Sequence, residues 1–238
     1  MAGSEERDPE PSVRDVALIV GGGPGISASC ARLFAKCGMR VGVAARDSAK
    51  PVLGELEKTH GVRRYACGAS EPAAVEQLFQ DLVRDLGAPT LVVHNIDGRM
   101  LGIFRKGITE ADPILALETI RNAAFSAFLV GQQAARLMRG NSPDSNGAKG
   151  TIIFTNARAA LKGFALSAAF AMACQAKSGL TGAEHGAGAD AAGDPRGQCP
   201  DRRRDRLDAG GRHASRRRPR CASRSAPRRG DDLVFQLS

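Results

Sequence analysis

The stretch Val16-Ala-Leu-Ile-Val-Gly-Gly-Gly-Pro-Gly-Ile-Ser27 decides how the rest of the chain is read. Five consecutive apolar residues running into glycines describe a short strand buried on both faces. From Ile26, apolar residues recur at helical spacing (Ile26, Cys30, Leu33, Phe34, Cys37) and stop at Gly38, a natural helix C-cap. A buried strand, a glycine turn and a helix follow one another without a gap. Glycines in such a turn permit positive φ and let a phosphate come close to the backbone at the positive end of the helix.

The same alternation continues outward. Arg40 to Ala44 reads as a second strand, and Ser48 precedes a helix that ends near Gly61. Arg64 to Cys67 is a third strand, Glu71 to Leu86 a helix, and Thr90 to His94 a fourth strand. A long helical region spans about Pro113 to Met138, Asn141 to Gly147 is a loop by composition, and Thr151 to Phe154 is a fifth strand. Another helix begins at Ala168 and runs to about Gly182. Strands and helices alternating at this spacing predict an α/β fold, a three-layer doubly wound parallel sheet with right-handed crossovers.

The 238 residues suffice for one sizeable core. Three parts are expected: a polar leader (1–15), a sheet domain (16–182) and an arginine-rich tail (183–238). The formal net charge is +9; the tail alone holds 13 Arg against 8 acids, a net of +5. Residues 183–229 are rich in Ala, Gly, Asp, Arg and Pro without apolar periodicity, which predicts disorder. A basic tail can suit nucleic acid, but an unfolded arginine-rich segment is the plainer reading, so no nucleic-acid role is assigned. With no strand supplied by the tail, the fifth strand would form an exposed edge and an aggregation risk.

The six cysteines form no CxxC pair and have no metal-like spacing with the four histidines, so no metal site is expected. A reduced, cytoplasmic setting is the default. The acidic N-terminus does not read as a signal or transit peptide, and no apolar run is expected to span a membrane.

The glycine turn resembles that of the short-chain dehydrogenase/reductase family, whose motif is TGxxxGxG. Gly21 and Gly25 match its first two glycines, Val20 replaces the threonine and Ser27 the third glycine, a change expected to loosen helix–strand packing. Leu91-Val-Val-His-Asn-Ile-Asp-Gly98 occupies the place of the NNAG segment, with Asn95 kept and Asp97 where glycine is expected. The resemblance implies a Rossmann fold, here without its last strands, and a nicotinamide dinucleotide bound by Gly21, Gly23, Gly25, Ile26, Arg46 and Asn95. Cys67-Gly68 stands where the family usually has an adenine-binding Asp. Ala45 stands where members preferring NAD place an acid, and Arg46 follows, which favours NADP.

The family's carbonyl chemistry uses a tyrosine as acid, a lysine four residues later and a serine. Ala157, Phe170 and Cys174 fall at the serine, tyrosine and lysine positions. The single tyrosine, Tyr65, lies on the third strand. Lys177 is one helical turn beyond Cys174 and reads as a surface lysine; a three-residue slip would align it with the family lysine but put Ala173 at the tyrosine. Asn122 or Ala123 stands at the water-holding asparagine, depending on register. No catalytic residue is therefore assigned, and the resemblance implies an NAD(P)-dependent oxidoreductase impaired or inactive in its chemistry, or a nucleotide-binding protein without any. It also implies a homodimer through the helices at 113–138 and from 168. Back-translating residues 183–210 and moving the frame by one nucleotide permits LSMARELMPQGIHVANVPIDAAIGW, which resembles the missing helix end and sixth strand; a frameshift near Gly182 is expected.

Overall fold

The computed structural model describes residues 15–144, 147–189 and 232–237, so the leader and most of the tail lie outside the described residues. Strands β1 (Val16–Val20), β2 (Arg40–Ala45), β3 (Arg63–Ala66), β4 (Leu91–His94) and β5 (Gly150–Thr155) pair in parallel in the order β3-β2-β1-β4-β5. Helices α1 (Ile26–Lys36) and α2 (Pro51–His60) cover one face, where they close a core around Ile19, Val43, Leu53 and Leu56. Helices α3 (Pro72–Asp85) and α5 (Ser126–Met138) cover the other, over Leu18, Val92, Ile152 and Phe154. This is the doubly wound three-layer sheet expected from the sequence.

Local chemistry sets the joints. Gly38 adopts φ +82° and closes α1 with its N–H on the Ala35 carbonyl, while Met39 N–H reaches Phe34. Proline opens both α2 and α3, where its missing N–H removes no helical bond. Asp112 caps α4 (Pro113–Ile120) by accepting from the N–H groups of Ile114 and Leu115. A π-helical turn at Arg121–Phe125 joins α4 to α5, so that Pro113–Met138 is one helix of 26 residues.

By length and composition Pro113–Met138 is long and apolar enough to cross a membrane. In this fold its α5 part packs on the sheet through Ala127, Val130, Ala134 and Met138. The tail was expected to leave β5 as an edge. No further parallel strand follows among the described residues, but β6 (Asp232–Leu237) pairs antiparallel along all of β5, from Gly150↔Leu237 to Thr155↔Asp232. The run Leu-Val-Phe at 233–235 is strand-forming, and it lies beyond the arginine-rich composition that dominates the tail. The final helix, α6, runs from Ala168 to Ala189, past the boundary expected at Gly182.

Candidate functional site

The carboxyl ends of β1, β2 and β4 surround a cavity of about 330 Å³. It lies where the chain order reverses between β1 and β4, the crevice in which such sheets bind ligands. Gly21, Gly22, Ala45, Arg46, Lys50 and Cys67 line one side, and Asn95 to Met100 with Asn122 the other. Of the residues expected to bind a dinucleotide, Gly21, Arg46 and Asn95 are thus brought together. Gly23, Gly25 and Ile26 sit on the adjoining turn and the first turn of α1, outside that lining.

The glycines divide into two kinds. At Gly21, with φ +108°, an added Cβ would run into the Asn95 carbonyl; at Gly22 it would come within 2.9 Å of Val43. At Gly23 and Gly25 an added Cβ would meet nothing within 4 Å, leaving the backbone approachable from outside. The first turn of α1 carries neither an acidic residue nor a side-chain cap, which leaves its positive end available to an anion.

Ser27 does the reverse of what its replacement of a glycine suggested. It is 1% exposed. Its hydroxyl donates to the Gly21 carbonyl at 2.7 Å and accepts from Asn95 Nδ2 at 2.7 Å. Asn95 Oδ1 in turn accepts from Thr155 Oγ1 at 2.8 Å. The side chain therefore ties the glycine turn to the ends of β4 and β5 rather than loosening it.

Arg46 on the cavity wall is joined by Lys50, whose Nζ donates to the Gly22 carbonyl at 2.9 Å. Asp47, next in sequence, turns its carboxylate to the Ala49 N–H at 2.9 Å and does not line the cavity. The wall at the end of β2 is thus cationic. Cys67, at the adenine-side position, is buried, and burial pushes its thiol up to about 11.

The positions expected to carry carbonyl chemistry are apolar. Phe170 and Cys174 are buried with Ile103, Ala159 and Ala169, and Ala157 packs against them. Arg99 lies over the Phe170 ring at 4.1 Å and over Phe104 at 5.5 Å, and pairs with Asp97 at 3.3 Å. Tyr65, across the sheet on β3, hydrogen-bonds Asp85 at 3.3 Å, and burial beside that carboxylate raises its phenol to about 12. On the π turn Asn122 lines the cavity, whereas Ala123 is buried under Gly98, whose φ is +74°.

Lys177 corrects the sequence reading most sharply. Expected at the surface, it is 3% exposed, and its Nζ donates to the carbonyls of Ile96 at 2.8 Å and Thr155 at 3.3 Å. Burial lowers its ammonium to about 8, against the smaller opposing influence of Cys174 and Asp97. Close by, His94 is fully buried and held neutral, first by burial and then by the Lys177 charge. Ser126 donates to the Asn122 carbonyl at 2.5 Å, which leaves its oxygen to accept from His94 Nε2 at 2.9 Å.

A family model described as "Enoyl-(Acyl carrier protein) reductase" matches residues 21–194. Among solved structures, a short-chain dehydrogenase/reductase from Serratia marcescens is 25% identical over 74% of this chain and 69% of its own, with a TM-score of 0.62. The chain belongs to the short-chain dehydrogenase/reductase family. A point variant of the actinorhodin polyketide ketoreductase, solved with NADPH, shares the fold at 24% identity over 72% of this chain and 64% of its own, with a TM-score of 0.62. ElxO, solved with NADP, does so at 20% identity over 74% and 69%, with a TM-score of 0.64. Membership in this oxidoreductase family agrees with the doubly wound fold described above.

Proposed function

We propose that this chain binds a nicotinamide dinucleotide, prefers NADP, and lacks the tyrosine-dependent carbonyl chemistry of its family. The observation that carries the reading is the cavity itself: a glycine turn and an uncapped helix start beside Arg46 and Lys50, with no carboxylate lining the end of β2. Gly21, Gly23, Gly25 and Ile26 would hold the pyrophosphate, Arg46 and Lys50 a 2′-phosphate, and Asn95 the nicotinamide side. NADP or NADPH in two fold neighbours is in keeping with this. When bound, such a cofactor supplies a hydride; the chain offers no phenol near it to donate a proton, because Phe170 stands in an apolar cluster under Arg99.

Fluorescence titration with NADPH and NADH tests the preference, and turnover of a carbonyl panel tests the chemistry. Tighter NADPH binding, by about tenfold for one charge-assisted phosphate contact, and no turnover are expected. Equal affinity for the two cofactors, or steady turnover, contradicts the corresponding half of the reading. A homodimer through Pro113–Met138 and α6 belongs to the same proposal, supported by the exposed Ile114, Leu117, Phe125, Phe128 and Met172. We also hold that the segment after about Gly182 is read out of frame. The gene sequence decides that: absence of any single-nucleotide change restoring a family-like C-terminus refutes it.

A further inference from the structure

The buried lysine of α6 has no role in the reading above. Its ammonium sits below the carboxyl ends of β4 and β5 and reaches a carbonyl from each, those of Ile96 and Thr155. Ile96 lines the cavity, as do Asn95 before it and Asp97 and Gly98 after it. Thr155 also donates its hydroxyl to Asn95, which bonds Ser27, which bonds Gly21. One connected set of hydrogen bonds therefore joins α6 to the glycine turn across β5, β4 and α1. A lysine here is anomalous for packing, since Phe170, Ala173 and Cys174 on the same helix face are buried and carry no charge.

We propose that Lys177 is the positioning residue of the nucleotide site, fixing the Asn95–Gly98 segment through its charge-assisted bonds to the Ile96 and Thr155 carbonyls. The inference rests on the nucleotide reading of the cavity. Lys177 does not line the cavity; it acts through the two strand ends whose carbonyls it holds. Charge-assisted bonds to the two carbonyls are stronger than neutral ones, and loss of the proton weakens both. The titratable and charged groups around it are Asp97, paired with Arg99, in the segment after β4, His94 on β4 and Cys174 on α6. His94 stays neutral through the range concerned, and burial pushes the Cys174 thiol up. The ammonium, held at about 8, is thus the group that changes state near neutral pH.

The test is NADPH fluorescence titration of the full chain and of Lys177→Met from about pH 7 to about pH 9, with circular dichroism to establish folding. Wild type is expected to bind about tenfold more weakly at the upper end, and Lys177→Met to start about tenfold weaker and stay flat. Lys149→Met, at the opposite end of β5, is expected to keep both the wild-type affinity and its pH dependence. A purely structural lysine would alter stability without removing that dependence. Wild-type affinity and pH profile in folded Lys177→Met overturn the inference. If that variant does not fold, the wild-type profile decides, and an affinity unchanged over the range overturns it equally. Absence of NADPH binding by wild type is a different failure: it removes the nucleotide reading and this inference together.

Discussion

Replacing Ser27 with the glycine usual at this point in the family is expected to weaken the fold. The side chain is 1% exposed and makes two hydrogen bonds of 2.7 Å, to the Gly21 carbonyl and from Asn95 Nδ2. Each contributes about 1 kcal/mol net. Glycine in the first turn of α1 adds about 0.5 kcal/mol of backbone entropy relative to serine. The expected loss is about 2–3 kcal/mol, a factor of roughly 30 to 150 in the folding equilibrium. Urea unfolding followed by far-ultraviolet circular dichroism reads it as a lowered midpoint at unchanged slope. The chain has no tryptophan, so the dichroic signal is the natural probe. Ser27→Gly as stable as wild type, or more stable, would show that the hydroxyl crowds the helix–strand contact and that the tie to Asn95 carries no energy. Combining Ser27→Ala with Asn95→Ala refines the test: additivity within about 0.3–0.5 kcal/mol means no interaction between the two side chains.

Gly98→Ala is expected to cost more than about 3 kcal/mol, since its Cβ would lie 2.5 Å from the Ala123 backbone nitrogen at φ +74°; soluble yield and urea midpoint report it. Arg99→Met is expected to cost only about 0.5–1 kcal/mol, because the stacked guanidinium is one-third exposed, and a larger loss in the same assay would mean that Arg99 holds the apolar cluster together. Cys37, exposed, is expected to react with a thiol reagent well before Cys67, which is buried and has its thiol raised to about 11; equal rates would contradict the packing of β3 against α3. Stability should also carry the signature of Lys177. Its ammonium titrates at about 8 in the fold and near 10.5 when exposed, so the unfolded chain binds the extra proton between those values and stability rises with pH there. Relative to Lys177→Met, wild type is expected to gain about 3 kcal/mol from pH 8 to pH 10.5, and parallel curves for the two proteins would refute the buried charge.

The sheet was legible because each element announced itself locally: a buried apolar run, a glycine at a helix end, a proline at a helix start. The glycine turn and Arg46 were legible for the same reason, since backbone recognition of a phosphate depends on a contiguous motif. Lys50 left no such signal, because its part in the cavity depends on how the start of α2 faces β1, and Asn122 stood beside Ala123 as an open alternative because only the π turn decides which of the two faces the cavity. Ser27 was misread because a side chain in a glycine's place signals crowding unless its partners are known, and Asn95 is 68 residues away. Lys177 did leave a signal: it lies seven residues after Phe170 and three after Cys174, on the apolar stripe of α6. A charge on that stripe points inward. The apolar character of Phe170 and Cys174 was readable from sequence, but the stacking of Arg99 over Phe170 joins the segment after β4 to the first turn of α6, which only the fold brings together.

In the proposed function the two halves of the site rest on different kinds of structure, so that one can persist without the other. The nucleotide half is held by backbone: a glycine turn, a helix start and the ends of three strands, tied by Ser27 and Asn95. The carbonyl half would depend on three side chains after β5 and on α6, and at the positions expected for them Ala157, Phe170 and Cys174 form part of an apolar cluster. Such a cluster favours stability, whereas Lys177 opposes it at neutral pH, because an ammonium that titrates at about 8 is charged there against a burial penalty. Replacing Lys177 with methionine should therefore remove the rise of stability with pH and weaken NADPH binding at the same time. The two effects have opposite pH dependences in wild type: stability increases as the proton leaves, and affinity decreases. A packing defect would change stability alone, whereas loss of the charged ties to the Ile96 and Thr155 carbonyls changes both, and with these signs.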